Sequence, residues 1–478
     1  MSDDHSARAR GPAPAATTVA GGPPVAVGPL AGRTGGPVLR PGDDGFDDEC
    51  SGYQTAFRHR PDVVVGAAAP DDVRAAVEFA AENGLPVGVQ ATGHGSPAPL
   101  EGGVLIATHR MDGVRIDPAA RSAWVAAGAR WQQVVDAAAA HGLAPLSGSS
   151  PHVGAVGYTL GGGIGLLSRR YGYAADHVRR IDIVTADARL RRVTAESDPD
   201  LFWALRGGGR GFGAVTGVEI GLVPITRIYG GGLTFAADRM DDVLDAYAAW
   251  TAAVPEELTS SLTMVAMPDL PAVPAPMRGR HVATVSVAYI GGACEGERLV
   301  APLRGVGPRL KDTLRDMPFT ESGAVHAEPA QPHAYAGDSA MIGGVDGAAL
   351  RAVRDLAGPE APVMCVVGLR HLGGALARPP EAANAVPHRP AAFSLGVLSP
   401  VDGADPAAVR AAHGRVLAVV AGRTLGRSVN FAFGAGRAAD PSGLHPAGDL
   451  RRLDALRRRL DPGGVFRHAR PGTAARGR

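Results

Sequence analysis

The chain has 478 residues but only three cysteines, Cys50, Cys294 and Cys365, odd in number and far apart. No C-x-x-C pair or metal-like spacing occurs. A disulfide framework and a thiolate metal site are therefore disfavoured, and three reduced thiols are expected. Lysine is nearly missing: Lys311 stands alone, and arginine supplies the rest of the positive charge. Together with abundant Ala, Gly, Pro and Val, this reads as a high-GC coding bias without functional meaning. The 48 basic and 47 acidic residues leave a net charge of +1, which argues against a general affinity for nucleic acid or anionic membrane. No apolar run reaches the roughly 20 residues of a membrane-spanning helix. Prolines interrupt "MSDDHSARARGPAPAATTVAGGPP", so no secretory apolar region is recognised, and a cytoplasmic protein is expected. Two common phosphate signatures are also missing. "GGGIGLLS" (161–168) has Ser168 at the third site of G-x-G-x-x-G, "RGGGRGFG" (206–213) also departs, and no G-x-x-x-x-G-K-[ST] exists. An ordinary nicotinamide or P-loop fold is thereby disfavoured.

What is present is a mixed α/β pattern. Residues 1–36 are rich in Pro, Gly and Ala and are expected to be a disordered tail. "DVVVGA" (62–67) predicts a strand. "PDDVRAAVEFAAENG" predicts a helix with Val73, Ala76, Val77 and Ala80 on one face, Pro70 at its start and Gly84 after its end. "LPVGVQ" follows as a strand, so this is a βαβ unit with a parallel pair. "VLIATHRM" (104–111) predicts another strand, and "GVRIDPAARSAWVAAGA" and "VRRIDIVTADARLRRVTAE" predict hairpins. A helix at about 130–141 carries Trp131, Val134, Val135 and Ala138. A short helix and a strand at 214–223 follow "DPDLFWALRGGG". Beyond "PITRIYGGG" the texture changes to strands alternating with Ala-rich helices. The arginine run at 457–459 reads as a solvated helix face rather than a nucleic-acid patch.

Three Gly-rich loops, at 91–97, 148–165 and 206–213, stand at ends of strands or helices. Such loops let backbone N–H groups converge on oxyanions. The stretches "RPDVVVGAAAPDDVRAAVEFAAENGLPVGVQATGHG", "GSSPHVGAVGYTLGGGIGLLSRRYGYAADHV" and "DPDLFWALRGGGRGFGAVTGVEI" resemble the FAD-binding domain of vanillyl-alcohol-oxidase-type flavoproteins. Specifically, they are similar to the berberine-bridge-enzyme-like FAD-linked oxidoreductases. The closing "VNF" and "LDPGGVF" fit as well. The resemblance implies an α+β protein: a two-subdomain PCMH-type FAD-binding domain (37–230) plus an α/β cap, or substrate, domain with an antiparallel sheet (231–425). A C-terminal segment (426–470) would return to the FAD domain.

The same resemblance implies FAD as cofactor. His94 matches the histidine that bonds the flavin 8α-methyl, and Thr92, Gly93, Gly95 and Ser96 surround it; a plain surface-loop histidine is the competing reading. In the second loop relatives carry G-x-C-x-x-V-G, whose cysteine makes a second link. Here it reads "GSSPHVG", with Ser150 at the cysteine position, so a single covalent link is expected. Val153, Gly154, Gly157, Thr159, Gly161, Gly162 and Gly163 are expected to deliver backbone amides to the cofactor; a Gly-rich packing contact is the competing reading. Val215 and Val218 are placed beside the adenosine half. His152 either faces the flavin or is exposed.

Relatives commonly carry Tyr-x-Asn near the C-terminus, with tyrosine as base. Here the triplet is Ser428-Val429-Asn430, so the usual base is missing while Asn430 keeps a flavin-facing role. Ser428, Tyr335 and His371 are the catalytic candidates, with His333 and Arg370 nearby in sequence. The expected function is that of an FAD-linked oxidase moving hydride from a small organic or secondary-metabolite C–H to flavin N5, with O2 as acceptor. The alternatives are a dehydrogenase using another acceptor and a catalytically impaired flavin-binding protein. No metal, membrane or nucleic-acid partner is expected.

Overall fold

The computed structural model describes residues 26–95, 98–433 and 440–467. Three sheets organise them. The first contains β1 (Val38–Leu39), β2 (Val63–Gly66), β3 (Val87–Gln90) and β4 (Val104–Ala107), in the order β1-β2-β4-β3. The helix Pro70–Glu82 has Pro70 in its first turn with Asp71 and Asp72, where proline's missing N–H costs nothing and acidic groups meet the positive end of the helix. Its Val73, Ala76, Val77 and Ala80 are buried as the periodicity predicts. The β2–helix–β3 unit does form, but its strands are not neighbours. Both pair in parallel with β4, which inserts between them. The burial explains the order: all four residues of β4 are covered, whereas β3 exposes Val89.

The second sheet comprises β5 (Val114–Asp117), β6 (Ser122–Ala126), β7 (Val178–Val184), β8 (Leu190–Val193) and β9 (Ala214–Gly221), antiparallel in the order β5-β6-β9-β7-β8. Both hairpins expected from the sequence, β5–β6 and β7–β8, are there. The helix Trp131–Ala139 buries Trp131, Val134, Val135 and Ala138 among residues of this sheet. These two sheets form the two parts of the first domain.

The third sheet holds nine strands: β10 (Arg227–Ala236), β11 (Leu258–Ala266), β12 (His281–Tyr289), β13 (Lys311–Asp312), β14 (Arg315–Pro318), β15 (Tyr335–Ile342), β16 (Val366–His371), β17 (Phe393–Pro400) and β18 (Thr424–Gly426). The order is β13-β10-β12-β11-β16-β17-β15-β18, with β14 also on β10, and every pairing is antiparallel. Alternation along each strand sends Val285, Leu262, Leu369 and Leu395 into one apolar core, covered by helices Met240–Thr251, Ala293–Arg304, Gly347–Leu356 and Pro406–Ala418. The opposite face is left for the first domain. This sheet begins at Arg227, slightly ahead of the expected boundary at 231.

Two expectations need correction. Helix Gly28–Ala31 sets Leu30, 1% exposed, into the core of the first sheet, so order begins well before residue 37. Residues 1–25 lie outside the described part. The run at 457–459 is also not uniformly solvated. Arg457 is buried and donates to the carbonyls of Arg210 and Gly208, at 3.0 and 2.9 Å. It sits on helix Ala447–Leu460, whose Leu453 and Leu456 join the second sheet's core, and Val465 and Phe466 then join the first. The C-terminal helix and the residues after it thus contribute to the cores of both parts of the first domain.

Candidate functional site: a groove between glycine loops and the cap

Beyond β3 the chain turns sharply. Gly93 has φ +74°, and a Cβ there would stand 2.7 Å from the Gly52 Cα, so glycine is required by both conformation and space. The turn delivers His94 onto Tyr53, with ring centroids 3.8 Å apart and planes 11° from parallel. Its Nδ1 is 2.9 Å from the Thr92 hydroxyl oxygen, which also accepts the Gly154 N–H at 3.2 Å. One threonine therefore joins the first loop to the second. The His94 Nε2 is buried and has no hydrogen-bond partner among the described residues. Burial, followed by the positive potentials of Arg130, His152 and His333, lowers the ring's pKa from 6.5 to about 3. His94 is neutral at pH 7. A buried polar atom left unmatched costs about 1–3 kcal/mol, so this nitrogen marks a place where another molecule belongs.

From the cap, the Tyr335 hydroxyl donates to the His94 carbonyl at 2.5 Å, and its ring meets Tyr53, His333 and Phe433. Tyr335 is thus spent on holding the histidine loop. Burial also raises its pKa, which makes it a poor base. Tyr53 and Phe433 were not legible as site residues, because neither lies in a glycine-rich stretch.

The second loop divides its glycines between two tasks. Gly154 opens the helix Ala155–Leu160, and at Gly157 nothing lies within 4 Å of the place a Cβ would take. That glycine is exposed, with open space where a side chain would stand. Gly161 packs against the Asn430 amide; Gly162 and Gly163 have φ +110° and +77°, and a Cβ at Gly163 would strike the Tyr158 ring and Ala174. For this triplet the packing reading is the better one. Thr159 is 1% exposed and its hydroxyl donates to the Ala155 carbonyl, so its side chain does not face the groove. The Val153 carbonyl accepts from Trp131 N–H, and Asn430 Nδ2 donates to the Tyr158 carbonyl at 2.9 Å. Val215 and Val218 point into the second sheet's core rather than outward. Ser150 is buried, and the three free cysteines sit elsewhere: Cys50 and Cys365 in other cores, Cys294 exposed on a cap helix. Ser96 lies outside the described residues.

The third loop contributes a residue the motifs did not single out. Arg210 is exposed, donates to the Gly95 carbonyl and has no carboxylate partner among the described residues. An uncompensated guanidinium thus spans the mouth between the first and third loops.

The cap's polar face closes the other side. Neighbours on a strand point to opposite faces, and the registers make Ser286, Ser261, Arg370 and Ser394 one row across β12, β11, β16 and β17. They share a cavity wall with His326, or border it, opposite Ser149, Ile164 and Gly165. Burial lowers the His326 pKa to about 4, so that ring is neutral too. His371 alternates away from Arg370 and stacks on Phe393 at 5.3 Å, with its pKa lowered to about 3 by burial and by Arg169. Ser428 is buried, its backbone N–H donating to the Ser339 hydroxyl. The three catalytic candidates are therefore not gathered in one cluster.

These features fit FAD. Gly157 is exposed with open space at its Cβ position, Arg210 offers a guanidinium with no carboxylate partner among the described residues, and the His94 Nε2 has no hydrogen-bond partner among them. Residues 61–194 match a family model described as an FAD binding domain. Over 303 residues the chain is 31% identical to (R)-6-hydroxynicotine oxidase of Paenarthrobacter nicotinovorans, covering 61% of this chain and 63% of that protein. The crystal structure of 6-hydroxy-D-nicotine oxidase from Arthrobacter nicotinovorans superposes with a TM-score of 0.77 at 25% identity, covering 93% of this chain and 99% of the other. A BBE-like protein of Physcomitrella patens superposes at 0.79 with 18% identity, covering 94% and 100%. The chain thus carries an FAD-binding domain and is similar to FAD-linked oxidoreductases. Its PCMH-type fold, with the cap sheet facing the cofactor loops, is the one the sequence resemblance implied. The sequence match spans less than two thirds of the curated nicotine oxidase, so the reaction itself is argued next.

Proposed function

We propose that the chain is an FAD-dependent oxidase of a small organic molecule, with its flavin linked once, through His94, and O2 as electron acceptor. The observation that carries this reading is the neutral His94, whose buried Nε2 has no hydrogen-bond partner among the described residues. When bound, FAD supplies a hydride acceptor at N5. The protein's own groups do the rest. Thr92 and Tyr53 fix the imidazole plane, and Tyr335 holds its backbone from the cap. Arg210 and the backbone around Gly95 and Gly157 would receive the pyrophosphate half. Ser150 replaces the cysteine of doubly linked relatives, and no other cysteine is near, which supports one link only.

Ser428 cannot be tuned into a base as a tyrosine can. His326 keeps its lone pair above about pH 4 and shares the cavity with Arg370, so it can take a proton from a substrate hydroxyl or amine. The nicotine-oxidising relatives support a small-molecule substrate. The test is kinetic: reduce the purified flavoprotein without oxygen, mix it rapidly with aerated buffer, and follow the visible absorbance. Recovery within seconds is expected. Recovery taking many minutes would assign the electrons to a different acceptor.

A further inference from the structure

Arg370 is the least explained charge in the molecule. It makes no hydrogen bond and no ion pair with any described residue, yet its guanidinium lies half-buried over the Phe431 ring, 4.3 Å from the centroid. A planar fork with free N–H donors, held flat by an aromatic ring, is built to receive a two-oxygen anion. Its immediate neighbours across the sheet are serines. Ser261 on β11 and Ser394 on β17 pair directly with Arg370, on the same face. Both are buried, at 6% and 1% exposure, and both hydroxyl oxygens lack hydrogen-bond partners among the described residues. The Tyr158 hydroxyl, within electrostatic reach of Arg370, is likewise buried and has no hydrogen-bond partner among the described residues. Ser261 and Arg370 line one cavity, and a buried polar group left unsatisfied there would cost about 1–3 kcal/mol if nothing entered it. Ile164, Leu166, Val287, Ala288 and Val325 form the apolar part of the cavity lining, beside Ser149, Thr259, Ser260, Ser286 and His326.

We propose that Arg370, flanked by Ser261 and Ser394, is a carboxylate subsite, and that the substrate is an organic acid with one carboxylate on an apolar body. This rests on the flavin-oxidase reading for the word substrate, but the binding chemistry stands apart from it. Nearby charges do not undercut the assignment. Glu328 acts on Arg370 only through space, without a contact, and His326 is neutral.

Benzoate and its uncharged analogue benzamide are suitable probes. Calorimetric titration of the purified protein reads their binding without turnover, and visible absorbance reads flavin content separately. Benzoate is expected to bind about tenfold or more tightly than benzamide, as charge-assisted pairs exceed neutral ones. R370M should abolish that preference while leaving flavin content and benzamide binding intact. R370K should restore part of it, because lysine keeps the charge and loses the fork. S261A and S394A should weaken benzoate by a smaller factor. Equal affinities in the unaltered protein, or a preference that survives R370M, would overturn the subsite. Loss of flavin in R370M would also overturn it, by making Arg370 a cofactor contact. Protein without flavin that still prefers benzoate would keep the subsite and remove the redox reading instead.

Discussion

The two walls of the site are made in opposite ways. The cofactor wall is built from short contiguous loops, where one glycine and the histidine beside it settle a local geometry. The cap wall is built by register, with Ser261, Arg370 and Ser394 arriving from three strands remote in sequence. The first kind of wall tolerates little change at single positions. The second depends on the sheet as a whole, and its individual residues are free to vary with the substrate.

That contrast can be broken first at the cap. Asp338 on β15 accepts from Arg427 Nε at 3.0 Å, and both are buried. Asp338→Ala leaves a buried guanidinium without its carboxylate and is expected to cost about 3–5 kcal/mol, read as a lowered urea midpoint. Arg370→Met, on the opposite face of the sheet and with no hydrogen-bonded partner among the described residues to lose, should change stability by less than about 0.5 kcal/mol. Comparable losses from the two would deny that Arg370 is reserved for a ligand.

The cofactor wall offers a second contrast between glycines. Gly163→Ala forces a side chain at φ +77° into Tyr158 and should cost about 2–3 kcal/mol. Acidification comes next. Burial holds His94 and His371 at about 3 in the folded protein, against about 6.5 unfolded. Between those values the unfolded chain binds protons that the native one refuses. Stability should therefore be flat above about pH 6.5 and fall as pH drops toward 3. His371→Ala should make that fall shallower in urea titrations at pH 7 and 5; an unchanged slope would contradict the burial argument. The smallest stability effect is expected at Gly157→Ala, a helical position with open space, which should gain about 0.5–1 kcal/mol while flavin content drops. A variant that is more stable and equally loaded would show that Gly157 does not face the cofactor.

The same contrast explains what could be read in advance. The helix Pro70–Glu82, both hairpins and the role of Gly93 are local, so periodicity and turn chemistry revealed them. The motif resemblance carried the fold. It did not show that β4 would separate β2 from β3, because that depends on which strand is covered on both faces. Nor did it separate Gly157 from Gly161–Gly163, since the partner of Gly161 is Asn430, from the far end of the chain. Tyr53, Arg210, Ser261 and Ser394 acquire meaning only through contacts made by folding. Arg457, apparently one of three solvated arginines, is the clamp on the third loop for the same reason.

The central claim is that His94 is the flavin's only covalent anchor. Purified protein should be denatured, precipitated and washed, and the visible spectrum of the pellet recorded beside that of His94→Ala. Yellow colour that stays with the wild-type pellet and is lost from the variant is the predicted result. Colour that washes out of the wild type, or persists in His94→Ala, would contradict it.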